Sequence, residues 1–202
     1  MRLTLFLVAV AAFAGTPKVA TDTAVVVFVD GHGTLPGSVW HQTEGLVSSI
    51  FGKINVSIQW HENEAPIGFS PERVIILLHF DPLSPGGTGK RSSPSHSTEA
   101  VAWSFPYDPV RPKIVVVTER VRFLSSHAQL FQPILAHTIA HEIAHILEVQ
   151  DAHSTAGIMK QHWTAEDFKC MQDFTLAFTD TDVQWIQEGL AYRCRRHESS
   201  DD

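Results

Sequence analysis

The sequence has no run of basic residues, no apolar stretch of membrane-spanning length and only two cysteines among its 202 residues. Each shortage excludes something. Fifteen Lys and Arg against 22 Asp and Glu leave a formal net charge of −7. A chain so charged, with no basic cluster, lacks the means to neutralise a phosphate backbone, which excludes nucleic acid as a partner. The most apolar segment, residues 3–14, is only a dozen residues long, whereas a helical span needs about twenty. Stable membrane association is excluded with it. Cys170 and Cys194 allow at most one disulfide, and their spacing alone does not say whether the Cα atoms meet within the required separation of about 4.4–6.8 Å. Charge content is low too, at 18% against 44% hydrophobic residues, a balance that favours a packed core over disorder.

At the N-terminus stands a secretion leader. Met1-Arg2 gives a positive start, residues 3–14 are the short apolar region, and Ala12-Phe13-Ala14 ends on the small residues that a signal peptidase prefers. The reading is a signal peptide over residues 1–14, cleaved after Ala14, and a single domain over residues 15–202 in a secreted or periplasmic protein. An oxidising compartment of this kind permits the Cys170–Cys194 disulfide.

Hydrophobic periodicity then orders the chain. Ala24–Val29 is a continuous apolar run that reads as a buried strand. Residues 38–51 repeat Val39, Leu46, Val47, Ile50 and Phe51 at helical spacing, with Gly52 as the expected stop. Ile54, Val56, Ile58 and Trp60 alternate with polar residues, a strand buried on one face. Arg73–Phe80, Glu99–Phe105 and Lys113–Val121 supply three more strands, and residues 82–98, rich in Pro, Ser and Gly, read as a long surface loop. A helix is expected over Phe131–Val149 with Pro133 in its first turn. Others begin after Trp163-Thr164 and at Thr179 or Asp180, the last running toward Leu190. The expected fold class is therefore α+β, with about five strands and a helical C-terminal part.

On the central helix stands His141-Glu142-Ile143-Ala144-His145. Residues four apart lie on one helix face about a turn apart, so two imidazoles can grip one metal ion. Glu142 is displaced around the helix yet close enough to handle a water at that metal. Ile134, Leu135, Ile139, Ile143, Ile146 and Leu147 give the same helix a buried face, a context that favours a zinc site over satisfied core residues. Zinc with an open fourth position needs a third protein ligand. His137 shares the face, but it lies about 12 Å along the axis from His145 and cannot join both histidines. Asp151 and His153 follow the helix, and Glu188 waits on the last one. The other histidines, among them His32, His41, His61 and His79, are scattered and read as surface or packed residues.

His141-Glu142-Ile143-Ala144-His145, followed by His153-Ser154 and Gly157-Ile158-Met159, resembles the zinc site of metzincin peptidases, and most of all small secreted matrixin-like proteins of bacteria. The resemblance implies a twisted, mostly parallel sheet and an active-site helix ended by a turn. It implies Zn²⁺ held by three histidines above a methionine floor at Met159, with Glu142 as general base in the hydrolysis of a protein or peptide substrate. It also implies that the Glu99–Phe105 strand is the edge against which an extended substrate pairs. Two positions depart from the pattern: Glu148 stands where the family turns on glycine, and Asp151 where its third histidine falls. Without a glycine the helix lacks its easy left-handed exit, which delays the returning chain and favours His153 over Asp151 as third ligand. No cysteine precedes the helix, so the family's cysteine latch has no counterpart. Trp185-Ile186-Gln187-Glu188-Gly189-Leu190-Ala191 also resembles the gluzincin helix that supplies a third ligand, which would here be Glu188. A third reading is a secreted zinc-binding protein without turnover.

Overall fold

The computed structural model describes residues 24–62, 73–81, 100–107, 111–125, 128–148, 152–173 and 175–198. The expected leader at residues 1–14, the expected loop at 82–98 and Asp151 lie outside the described residues.

Among the described residues five strands form one sheet: β1 Ala24–Asp30, β2 Ser57–His61, β3 Val74–Asp81, β4 Ala102–Phe105 and β5 Lys113–Val117. Their order is β2-β1-β3-β5-β4. β2, β1, β3 and β5 run parallel, whereas β4 pairs antiparallel with β5 and forms one edge. The expected sheet of about five mostly parallel strands is thus present. β1 is apolar from Ala24 to Val29 because both faces are covered, with Val25, Val26 and Val27 all fully buried. β2, on the other edge, alternates exposed Ser57, Gln59 and His61 with half-buried Ile58 and Trp60, the pattern of a strand covered on one side.

Five α-helices among the described residues accompany the sheet: α1 Gly37–Gly52, α2 Thr118–Leu124, α3 Ala128–Glu148, α4 Ala165–Asp173 and α5 Asp180–Glu198. Several boundaries differ from the sequence reading, each for a local reason. α1 ends at Gly52 as expected, but the left-handed residue that closes it is Asn55 and not the glycine. Asn55 takes φ 59°, its amide bonds Gly52 O at 3.2 Å, and the Val56 amide bonds Phe51 O at 3.1 Å. That is the Schellman arrangement with Asn in the left-handed seat, and it delays β2 to Ser57. β5 ends at Val117, and the residues up to Val121 turn helical. Thr118 and Val121 are the buried residues of α2, a spacing of three that suits a helix and not a strand. α3 starts three residues before the expected Phe131, which leaves Pro133 inside the helix and no longer in its first turn. α5 continues past Leu190 to Glu198, since no Gly or Pro after Leu190 interrupts it.

α3 is the hub, packing against α1, α2, α4, α5, β4 and β5. Ile134, Leu135, Ala136, His137, Ile139, Ala140, Ile143, Ala144, Ile146 and Leu147 are all 0% exposed. A helix covered on every side can be apolar around most of its circumference. Between Ile134 and Glu148 only His141 is not buried. The site therefore opens at that turn. Gly189 of α5 explains how closely the two helices meet: a Cβ there would fall far inside contact distance of the Leu147 carbonyl of α3. Cys170 carries a free thiol, and the Cys194 side chain lies outside what is described. Among the described residues no helix is long and apolar enough to cross a membrane.

Candidate metal centre

Three histidines converge. His141 and His145 project from one side of α3, and His153 returns from the chain beyond it. One ring nitrogen of each lies within 4.8 Å of the others, and the Nε2 atoms of His141 and His145 are 3.0 Å apart. The rings of His141 and His145 meet edge-on at 4.6 Å between centroids, and His153 stands 5.3 Å from the first and 4.9 Å from the second. His145 is buried, His141 half-buried and His153 exposed, so the group has a solvent side.

Hydrogen bonding decides what these rings can do. The carbonyl of Ile158 accepts from His141 Nδ1 at 2.8 Å. With the proton committed to Nδ1, Nε2 is left as a bare lone pair aimed at the other rings. Burial lowers the His141 pKa to about 3, reinforced by neighbouring His145 and His153 and partly opposed by the Ile158 bond. The imidazole is therefore neutral at pH 7, as a metal ligand must be. A carbonyl behind the liganding ring is also the arrangement that orients a histidine toward a metal. The donor set fits a cation that prefers nitrogen ligands, and three ligands leave a position open.

The loop that carries His153 is tied down on both flanks. The Ser154 amide bonds Met159 O at 2.8 Å and the Ile158 amide bonds Ala177 O at 3.0 Å, while Ser154 and Lys160 form an isolated bridge. Gly157 adopts φ 72°, and a Cβ there would drive into the Ala177 carbonyl. Met159 and Ile158 are fully buried, so Met159 lies in the core beneath the loop. Trp163 Nε1 donates to the same Ile158 carbonyl at 3.3 Å, and its ring meets that of His141 edge-on at 5.9 Å. Both following helices begin with a reciprocal capping box. On α4, Asp167 accepts from the Thr164 amide at 2.7 Å and takes Lys160 Nζ at 2.5 Å. On α5, Asp182 accepts from the Thr179 amide at 2.7 Å, while the Asp182 amide donates to Thr179 Oγ1 at 3.2 Å.

Glu142 sits on α3 at 8% exposure, next in sequence to His141. His137 stands apart from the three histidines, in the core as its distance along the helix required. Its Nδ1 donates to Pro133 O at 2.7 Å, and its Nε2 accepts from the Leu176 amide at 3.2 Å. Glu188 is exposed and accepts a hydrogen bond from Gln184 at 2.8 Å. It is not part of the cluster, and the resemblance of its surroundings to a ligand helix is accounted for by the close packing of Gly189. His79 pairs with Asp30 and His41 with Glu44, while His61 stacks on Phe28.

Trp163, Ala177 and Asp182 are the residues that sequence reasoning missed. A Thr-x-x-Asp capping signal marks the start of α5 in the sequence, but nothing local tells that its carboxylate reaches the metal loop.

No protein-family model matches the chain, and no curated protein matches it. Among solved structures it is similar to archaemetzincin from Methanopyrus kandleri, with 13% identity and a TM-score of 0.49 over 87% of this chain and 99% of that one. A likeness this loose does not assign the chain to a family.

Proposed function

We propose that the protein is a secreted or periplasmic zinc-dependent endopeptidase with a matrixin-like, metzincin-type site. The observation that carries this reading is the convergence of His141, His145 and His153 with the His141 proton held by Ile158. His141 Nε2, His145 Nε2 and a ring nitrogen of His153 would hold the zinc. A zinc ion there would acidify a water toward a pKa of about 7 and polarise the carbonyl under attack. Glu142, beside His141 on the buried helix, accepts the proton of the attacking water and returns it to the departing amine. Among the described residues β4 is an edge strand of the sheet and packs on α3, a position at which an extended peptide can pair. The leader at residues 1–14 supports export, and cleavage after Ala14 is checked by sequencing the N-terminus of the exported protein.

The decisive experiment measures bound zinc and hydrolysis of a quenched peptide library, with and without a chelator. We expect one zinc per chain and chelator-sensitive cleavage. Glu142→Ala should keep the metal and lose about a hundred- to ten-thousand-fold in rate. His153→Ala should empty the site, and Glu188→Ala should leave it full. Protein that holds one zinc and cleaves nothing supports instead the metal-binding reading without turnover, and full occupancy in His153→Ala removes the third ligand.

A further inference from the structure

His153 raises a question of placement. Its side chain is exposed, so packing does not fix the ring where the two helical histidines need it. The fixing comes one residue later. The Ser154 hydroxyl donates to Asp182 Oδ1, and Asp182 is 0% exposed although it is a carboxylate. Its other oxygen is taken by the Thr179 amide, and the positive end of α5 favours a negative charge at that position.

Asp182 therefore does two things at once. It caps α5, which an aspartate does without any loop, and it spends its second oxygen on the segment that carries His153. A buried carboxylate can only accept, so each oxygen requires a donor, and the Ser154 hydroxyl meets that need on the loop side. Lys160 makes a parallel link to Asp167 of α4, but those side chains keep 24% and 16% of their exposure, where solvent weakens the pair.

We propose that Asp182, acting through the Ser154 hydroxyl, is the positioning residue that holds His153 in the metal site. The proposal rests on the three-histidine reading above. It makes the start of the C-terminal helix part of the metal centre, although no α5 side chain is a ligand. Neighbours that orient metal ligands typically change affinity about 10- to 100-fold when lost.

The test is zinc affinity, measured by competition with a chromophoric chelator on the full chain, with the visible spectrum of the Co²⁺-loaded protein as a second readout. Ser154→Ala removes the hydroxyl. Asp182→Asn keeps the shape but replaces one acceptor with an amide donor, so it cannot serve both Ser154 and the Thr179 amide. We expect each to bind zinc about 10- to 100-fold more weakly and to show an altered Co²⁺ spectrum. The double variant should be no weaker than the weaker single, because both changes break one link. Ser154→Thr keeps a hydroxyl and should restore wild-type affinity. Should Asp182→Asn fail to fold, Ser154→Ala and its threonine rescue decide alone. If the wild type binds zinc and Ser154→Ala binds it within about two-fold as tightly, the positioning role is refuted while the zinc site stands. A fall in melting temperature of the metal-free protein without a change in affinity refutes it equally, since that marks a purely structural contact. Failure of the wild type to bind any metal overturns the proposed function itself.

Discussion

Replacing Gly157 by alanine tests the support of the metal loop in the most direct way. Gly157 holds φ 72°, and its Cα faces the Ala177 carbonyl so closely that a Cβ cannot fit unless backbone moves. The left-handed conformation costs an alanine about 1–2 kcal/mol. The collision with Ala177 O falls on the acceptor of the Ile158 amide, and losing that bond costs about a further 1 kcal/mol. The sum is about 2–3 kcal/mol, and in a chain of this size each kcal/mol lowers the melting temperature by about 2–4 °C. We expect the metal-free variant to melt about 5–10 °C below wild type by circular dichroism. Zinc affinity should fall as well, because Ile158 is both the residue displaced and the acceptor for the His141 proton. The matched control is Gly33→Ala, where no heavy atom lies within 4 Å of the new Cβ and φ is not left-handed. That variant should lie within about 0.5 kcal/mol of wild type. If Gly157→Ala melts with the control and binds zinc as wild type does, the strain and contact argument is wrong.

Two further outcomes follow from the core around α3. Burial, assisted by the nearby Lys53 charge, holds the His137 pKa below its usual 6.5 against the pull of its Pro133 bond. The unfolded chain then takes up a proton that the folded one refuses, so this contribution is intact above pH 6.5 and is lost as pH falls below it. Urea unfolding of chelator-treated protein at several pH values should show it as a slope of up to about 1.4 kcal/mol per pH unit, and an unchanged slope in His137→Gln would contradict it. Gly189→Ala places a methyl against the Leu147 carbonyl and should destabilise by at least about 1–3 kcal/mol, measured by thermal melting. A wild-type melting point would mean that α5 does not approach α3 this closely.

The sheet and the helix bearing the histidines were legible because they rest on local pattern. Continuous valines in β1, alternation in β2 and apolar positions along residues 134–147 are each written within a few residues of one another. The capping boxes at Thr164 and Thr179 are equally local. Boundaries were less legible where two local signals competed. Gly52 ends α1, yet the left-handed seat fell three residues later at Asn55 and delayed β2, and the helical spacing of Thr118 and Val121 prevailed over the strand before it. The disulfide was undecidable in principle, since it depends on where two distant segments come to rest.

By itself the sequence determined the elements and the chemistry on offer: two imidazoles a turn apart, a carboxylate beside His141, and further metal-binding side chains downstream. Tertiary structure decided which of them meet. It brought His153 to the helical pair, left Glu188 at the surface, and used His137 to join α3 to Leu176. It also recruited Ile158, Ala177 and Asp182, between 17 and 28 residues removed from the partners they hold. The physical reason is range. Propensity and periodicity act within a turn or a strand, whereas a ligand's proton, a loop's anchor and a glycine's necessity are set by contacts that exist only once the chain has folded.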